Sequence, residues 1–292
     1  MKALDTYNPI AIAVYFLAVA GIAMFCIQPI LLCLALTGAM ALCILRHDVK
    51  SVRTHLGFFA VFAFAALLNP LLSHNGASVL IVVGNAPITA ESIFWGMTSG
   101  AAILSALYLF CSFGAIMQSD KLLYLFGKLS PRLSLILSMG LRYVALFSEQ
   151  WGKIKQTQLS LGLYKDDNLF DRARGELRIF SVLLSWAMEN GIVTAGSMAA
   201  RGYGTGKRTH FSIFKFTWRD ALLIFVTLLL TAGTAIPLAL GAVTFTFYPT
   251  LHLHHAGALS YLCYLSYGAL VALPILIETE DTVKWNCLRS KI

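Results

Sequence analysis

The sequence predicts an all-α integral membrane protein with about six transmembrane helices and a helical insert on the cytoplasmic side. Three observations carry this expectation. Of the 292 residues, 58% are apolar and only 12% charged, with a mean hydropathy of +0.74, whereas a soluble domain is nearer half apolar and a quarter charged. Residues 6–45, 54–90, 92–119 and 221–277 contain no Asp, Glu, Lys or Arg. All 22 Lys and Arg residues fall on one side of a six-span layout. The composition also excludes a disordered chain and a disulfide-built secreted domain. The six cysteines (Cys26, Cys33, Cys43, Cys111, Cys263 and Cys287) show no CxxC spacing and five lie in apolar runs, so they read as small hydrophobes with no zinc site behind them.

A bilayer span needs about 20 mostly apolar residues. Residues 6–45 are long enough for two helices, with Gln28-Pro29 marking the turn. Residues 54–90 fit one helix over 56–72, ended by Asn69-Pro70, and then a polar segment, 73–87, with a short β-type run at 79–83. Residues 92–119 make one helix, and 221–277 make two, separated by residues 237–257. The basic residues sit at Lys2, in the loop 46–53, in 118–220 and in the tail 284–291, and the opposing segments around Gln28, 73–87 and 244–256 carry none. By the positive-inside rule both termini and the long middle segment are expected in the cytoplasm. The first apolar run is too long for a cleaved signal peptide. The net charge of +8 is therefore topology, and no nucleic-acid partner is expected.

The insert, residues 118–220, holds 15 basic and eight acidic residues. Four helical pieces are expected, over 121–128, 131–147, 148–163 and 170–200, with Pro131 in a first turn behind Ser130 as N-cap. Asp166-Asp167-Asn168 breaks the chain before the last helix. On that helix Arg178, Ser181, Ser185 and Glu189 share one face, while Ile179, Val182, Leu183, Trp186, Ile192 and Val193 lie around the others. Gly191, Ala195 and Ala199 form a small-residue stripe that lets another helix cross closely. The helix ends in Ala199-Ala200-Arg201-Gly202-Tyr203-Gly204. Gly202 is a natural left-handed cap, and two alanines keep the tip narrow enough to enter a groove while Arg201 bonds a partner carboxylate. A bland alternative has Arg201 compensating the helix dipole, which accounts for the charge but not for the narrow tip.

Other motifs carry less. Gly202 to Lys207 imitates a phosphate loop, but Arg201 and Arg208 stand where that loop needs glycine and Ser or Thr. His252, His254 and His255 lack a neighbouring carboxylate or thiol and read as interfacial histidines, not metal ligands. Glu91, behind Thr89, suits a helix start better than ion transport. No paired intramembrane carboxylates, HExxH or GxSxG occur, so no catalytic residues, cofactor or metal are expected.

Three segments, LSLILSMGLRYV (133–144), SWAMENGIVTAGSMAARGYG (185–204) and RTHFSIFKF (208–216), set between short N-terminal spans and two closing spans, resemble the transmembrane T component of energy-coupling factor transporters. These are ABC-type importers for vitamins and transition-metal ions such as cobalt. The resemblance covers nearly the whole chain from Asn8-Pro9 onward. It implies a four-span membrane region (1–117), cytoplasmic coupling helices (118–220), and a two-span region with a tail (221–292), in a bacterial cell membrane. It further implies two coupling helices, each ending in an Ala-Arg-Gly-like motif that docks on one of two ABC ATPase subunits. A separate membrane S component would bind the substrate. Ala200-Arg201-Gly202 is the second motif. In the first, Gln158 and Gly162 fit the pattern, but Leu159 and Leu163 stand where relatives tend to carry arginine. Either that contact is hydrophobic or Lys153, Lys155 or Lys165 supplies the charge. A self-sufficient ABC-type permease is the alternative, but it would need intramembrane polar residues along a substrate path.

Overall fold

The computed structural model of the chain describes residues 3–46, 52–72, 76, 78–83, 86–164, 168–206, 214–248, 252–255 and 257–289. A 3-10 turn (Ala3–Thr6) leads into α1 (Pro9–Phe25), α2 (Pro29–Arg46), α3 (Val52–Leu72), β1 (Val79–Val83), β2 (Ala86–Thr89) and α4 (Ala90–Ile116). Then come α5 (Ser119–Leu129), α6 (Pro131–Ser160), α7 (Leu169–Ala200), α8 (Trp218–Ala239), β3 (Val243–Thr246), β4 (His252–His255) and α9 (Ala258–Arg289). They divide into two compact units, Met1–Leu122 with Phe214–Ile292, and Leu123–Ile213.

In the first unit the helices begin at residues suited to begin them. The Asn8 side chain accepts the Ile10 N–H ahead of Pro9 (3.1 Å), Pro29 opens α2, and Thr89 accepts the Ser92 N–H (3.3 Å). Thr217 and Asp220 form a capping box at α8. Helix α2 packs on α4 and α9, α1 on α8 and α4, and α3 on α4. Small residues permit these approaches. A Cβ at Gly96 would lie 2.5 Å from the Ala66 carbonyl oxygen, and one at Gly38 would overlap the Val271 side chain.

The contacts sort this unit into two ends. At one end Arg46, 2% exposed, meets Asp5 (3.1 Å) and Glu278 (3.5 Å), and Lys121 lies 3.9 Å from Asp5. There, too, the Asp220 carboxylate accepts the Asn8 N–H (2.8 Å). At the other end Gln28 Nε2 donates to Tyr264 Oη (2.8 Å), and Phe94 and Trp95 pack against Phe245 and Phe247 beside the antiparallel hairpins β1–β2 and β3–β4. Helix α3 runs antiparallel to α4, since His55 Nδ1 lies 2.9 Å from Tyr108 Oη near its start and Asn69 Nδ2 donates to Ser99 Oγ near its finish. Thus α1, α2, α3, α4, α8 and α9 each run between the two ends. Large apolar side chains such as Leu17, Phe25, Phe59, Phe64, Leu67 and Leu229 point outward, an arrangement suited to hydrocarbon and costly in water.

Among the described residues six helices are long and apolar enough to cross a membrane: α2, α3, α4, α7, α8 and α9. The number matches the sequence expectation but the membership differs. Helix α1, counted there as a span, has 17 residues and falls a little short of the length that a bilayer crossing needs, about 20 residues. Helix α7, read there as cytoplasmic, meets it with a mean hydropathy of 1.2, the lowest of the six.

In the second unit α5 and α6 turn tightly at Ser130-Pro131, where the Ser134 hydroxyl reaches the Leu123 carbonyl (3.5 Å). Residues 131–147 and 148–163, expected as two helices, form one continuous helix, α6, to Ser160. No proline interrupts it after Pro131, and the Glu149–Lys153 pair, four residues apart and 2.6 Å long, supports the turn just past the expected joint. Helices α6 and α7 run antiparallel: Tyr143 meets Thr194 (3.4 Å), Phe147 stacks edge-on to Trp186, and Lys155 pairs with Glu176 (2.9 Å). The buried line of α7 is Gly175, Ile179 and Leu183. On the stripe Gly191, Ala195 and Ala199, a Cβ at Gly191 would meet nothing within 4 Å among the described residues. The neighbouring positions Trp186 and Thr194 of α7 face the bulky Phe147 and Tyr143.

Candidate functional site

Both long helices of the second unit end in the same backbone device. At the end of α7 the Gly202 N–H donates to the Ala199 carbonyl (2.9 Å) and the Tyr203 N–H to the Met198 carbonyl (3.0 Å), with Gly202 at φ +79°. At the end of α6 the Gly162 N–H donates to Leu159 O (3.0 Å) and the Leu163 N–H to Gln158 O (3.0 Å), with Gly162 at φ +68°. Each is a Schellman cap, and each needs glycine because a Cβ is penalised in the left-handed region. Because α6 and α7 are antiparallel, the tips lie at opposite ends of the pair. They are about one helix length apart, roughly 45–50 Å at 1.5 Å per residue.

The α7 tip bears Ala200, Arg201 and Gly202, all exposed. The α6 tip is built differently. Leu159, Leu161 and Leu163 are 51%, 65% and 50% exposed, while Gln158 is 6% exposed and faces inward. Tyr164 folds back over Gly175, where a Cβ would come within 2.7 Å of its ring. Its hydroxyl donates to Glu176 Oε1 (2.8 Å), which also receives Lys155 Nζ. Those hydrogen bonds, to Glu176 first and then to Tyr164, hold the Lys155 ammonium above its ordinary pKa. Lys153 is engaged by Glu149, Arg178 Nη1 donates to the Leu163 carbonyl (3.5 Å), and Lys165 lies outside the described residues, as do Asp166, Asp167 and most of the segment 208–216.

Superposing the caps residue by residue places Leu161, not Leu159, at the position of Arg201, and Leu163 at that of Tyr203. Sequence spacing alone missed Leu161; the glycine one residue later is the signal that finds it. Elsewhere, Glu91 sits in the first turn of α4 and accepts the Ser78 N–H (3.3 Å), tying a hairpin to a helix start. Among the described residues no group of three His, Cys, Asp or Glu side chains is arranged to hold a metal.

These features define a multi-pass helical membrane protein whose second unit presents two separated, capped helix tips. No family model matches the chain. The chain is similar to the energy-coupling factor transporter transmembrane protein EcfT 1 of Listeria monocytogenes, 31% identical over 106 residues, covering 36% of this chain and 40% of that protein. It is also similar to the energy-coupling factor transporter transmembrane protein EcfT of Brevibacillus brevis, 28% identical over 148 residues, covering 48% and 56%. An uncharacterised protein of Mycoplasma pneumoniae is 32% identical over 98 residues, covering 33% and 23%. The chain thus spans about half the length of the transporter proteins it matches, and the two EcfT matches support the T component family suggested by its motifs.

Proposed function

We infer that the chain is the transmembrane coupling subunit of an energy-coupling factor transporter, passing ATPase movement to a membrane S component during vitamin or metal-ion uptake. The observation that carries this reading is the pair of capped tips at opposite ends of one antiparallel helix pair, one of them Ala200-Arg201-Gly202. Two sites that far apart suit two ATPase subunits. When the ATPases close on ATP, tips drawn toward each other turn α6 and α7 about their line of contact and load the membrane unit. The two EcfT matches and the apolar helices support a bacterial plasma membrane protein, and the one-sided distribution of Lys and Arg supports cytoplasmic termini. Helix α1 joins the six crossing helices because it runs between the same two ends as its neighbours. Helix α7 stays outside, because it carries Asp171, Arg172, Arg174, Glu176, Arg178 and Glu189 and each intramembrane charge costs about 2.5–3.5 kcal/mol. Thiol labelling of intact cells is expected at a cysteine placed at residue 78 and not at residue 207.

Arg201→Ala is the direct test. Removing one partner of a desolvated charge pair costs about 2–5 kcal/mol, so one ATPase should be held weakly while the membrane protein stays folded. Unaltered co-purification and uptake would return Arg201 to a helix-dipole role. Wild-type protein should bring down two ATPases and a small membrane protein; ATPases alone would instead identify a self-sufficient permease.

A further inference from the structure

At the end of the membrane unit where Arg46 meets Glu278, the start of α8 and the last turns of α9 border an open cleft of about 610 Å³. The chain ahead of α1 and the first turn of α8 contribute Tyr7, Trp218 and Arg219, and α9 contributes Glu280, Asp281 and Lys284. Burial pushes the Tyr7 phenol up and the Arg219 guanidinium opposes that shift, so the two lie near each other. Two cations and two anions line the cleft, and one pair is already spent, because Lys284 is bonded to Glu280. Among the described residues no hydrogen bond or ion pair engages Arg219 or Asp281. The cleft therefore offers one open positive and one open negative charge. Leading away from it, Trp218, Leu222, Phe225 and Leu229 recur at three- and four-residue spacing on one face of α8, all exposed. Tyr and Trp are the side chains that settle at a membrane–water interface.

We propose that this cleft binds a zwitterionic aminophospholipid of the phosphatidylethanolamine type. Arg219 and the Tyr7 hydroxyl donate to its phosphate, Asp281 accepts from its ammonium, and an acyl chain lies along Leu222, Phe225 and Leu229. Charge complementarity selects this occupant. An apolar helix of another protein would leave Arg219 and Asp281 desolvated and unpaired. A lipid with a net negative headgroup would satisfy Arg219 and leave Asp281 facing further negative charge. A choline headgroup balances the charges but has no N–H to give Asp281, whereas an ethanolamine ammonium does, and charge-assisted hydrogen bonds are the stronger ones. The acyl chain covers apolar side chains that run from the cleft along the outward face of α8. The site lies in the membrane unit and is independent of the coupling reading above.

Native mass spectrometry of the full-length protein in detergent reads the site. Phosphatidylethanolamine, phosphatidylcholine and phosphatidylglycerol are supplied at equal concentration. The ethanolamine lipid should be retained about fivefold better than either of the others, the size expected of ion pairs that stay partly in water. Asp281→Asn should erase the preference over the choline lipid, while Arg219→Ala should weaken retention of both lipids alike. Both residues are exposed, so the two variants should melt like wild type. In intact membranes, a photo-crosslinking benzoylphenylalanine in place of Leu222 should give a phospholipid adduct. Equal retention of the three lipids by the wild-type protein overturns the proposal, as does a preference for the glycerol lipid or one that survives Asp281→Asn. A protein adduct at position 222 overturns it too, because a neighbouring chain would then occupy the cleft. So does equally tight binding of glycerophosphoethanolamine, the headgroup without its chains, which would make this a site for a soluble phosphate ester.

Discussion

The two units of this protein use charge in opposite ways. In the membrane unit one set of charges is drawn inside and mutually engaged: buried Arg46 meets Asp5 and Glu278, and buried Asp220 holds Thr217 and the Asn8 backbone. Burial pushes the Lys121 ammonium down, against the opposing pull of Asp5. In the second unit charges and leucines alike stand on the surface, and the described core of α7 amounts to Gly175, Ile179 and Leu183. The first unit is stabilised from within, through contacts between distant parts of the chain. The second is two long helices with a thin seam, and what it displays at its ends matters more than what it buries.

The difference can be broken most forcibly at Arg46. Arg46→Ala removes the cation shared by Asp5 and Glu278 and leaves, among the described residues, only Lys121, 3.9 Å from Asp5; breaking a buried ion pair costs about 3–5 kcal/mol. The thermal midpoint and yield of the purified protein should both fall sharply. If Arg46→Ala melts like wild type, the membrane unit does not depend on its charges.

Gly38→Ala is expected to come next. The added methyl overlaps Val271 where α2 meets α9, and overpacking of this kind costs about 1–3 kcal/mol. A lower melting temperature checks it. Gly175→Ala drives the same kind of clash into the Tyr164 ring, but in the second unit, so its effect should stay local. Hydrogen exchange across residues 157–164 should rise as Tyr164 loses Glu176, with the membrane helices still protected. Exchange rising throughout the protein would contradict the independence of the two units.

The smallest effect, opposite in sign, is expected at Gly191, where an added methyl meets nothing. Gly191→Ala should stabilise α7 by up to about 1 kcal/mol through helix propensity alone. A loss of ATPase or S-component binding in this variant, with stability unchanged, would mean that the small-residue stripe is a contact surface for another chain.

Much of the helical layout was legible because hydropathy and caps are local. The turn at Gln28-Pro29, the strand at 79–83 and the glycine ending α7 all appear where the residues place them. Other boundaries shifted. Helix α3 starts at Val52 and runs past Pro70 to Leu72, because a proline near a helix end removes few bonds. The strand partner Ala86–Thr89 was not foreseen, since Pro87 weakens its β pattern. At the tips of the second unit, the glycine cap that ends α7 could be read directly. At the α6 tip the cap around Gly162 pairs Leu161, not Leu159, with Arg201, a register that an uncharged leucine does not mark by itself.

The sequence by itself determined the class of protein, the apolar runs that cross a bilayer, the one-sided distribution of basic residues, and a helix ending in Ala200-Arg201-Gly202. Those properties depend on composition and near-neighbour spacing. Only the tertiary structure decided that Asp5, Arg46 and Glu278 meet, that α6 is unbroken, that Gln158 turns inward, and that Leu161 stands where Arg201 stands on the other tip. Such pairings join residues tens to hundreds of positions apart or depend on hydrogen-bond register at a helix end. They arise from packing, where partners are chosen by shape and by the cost of leaving a buried charge alone.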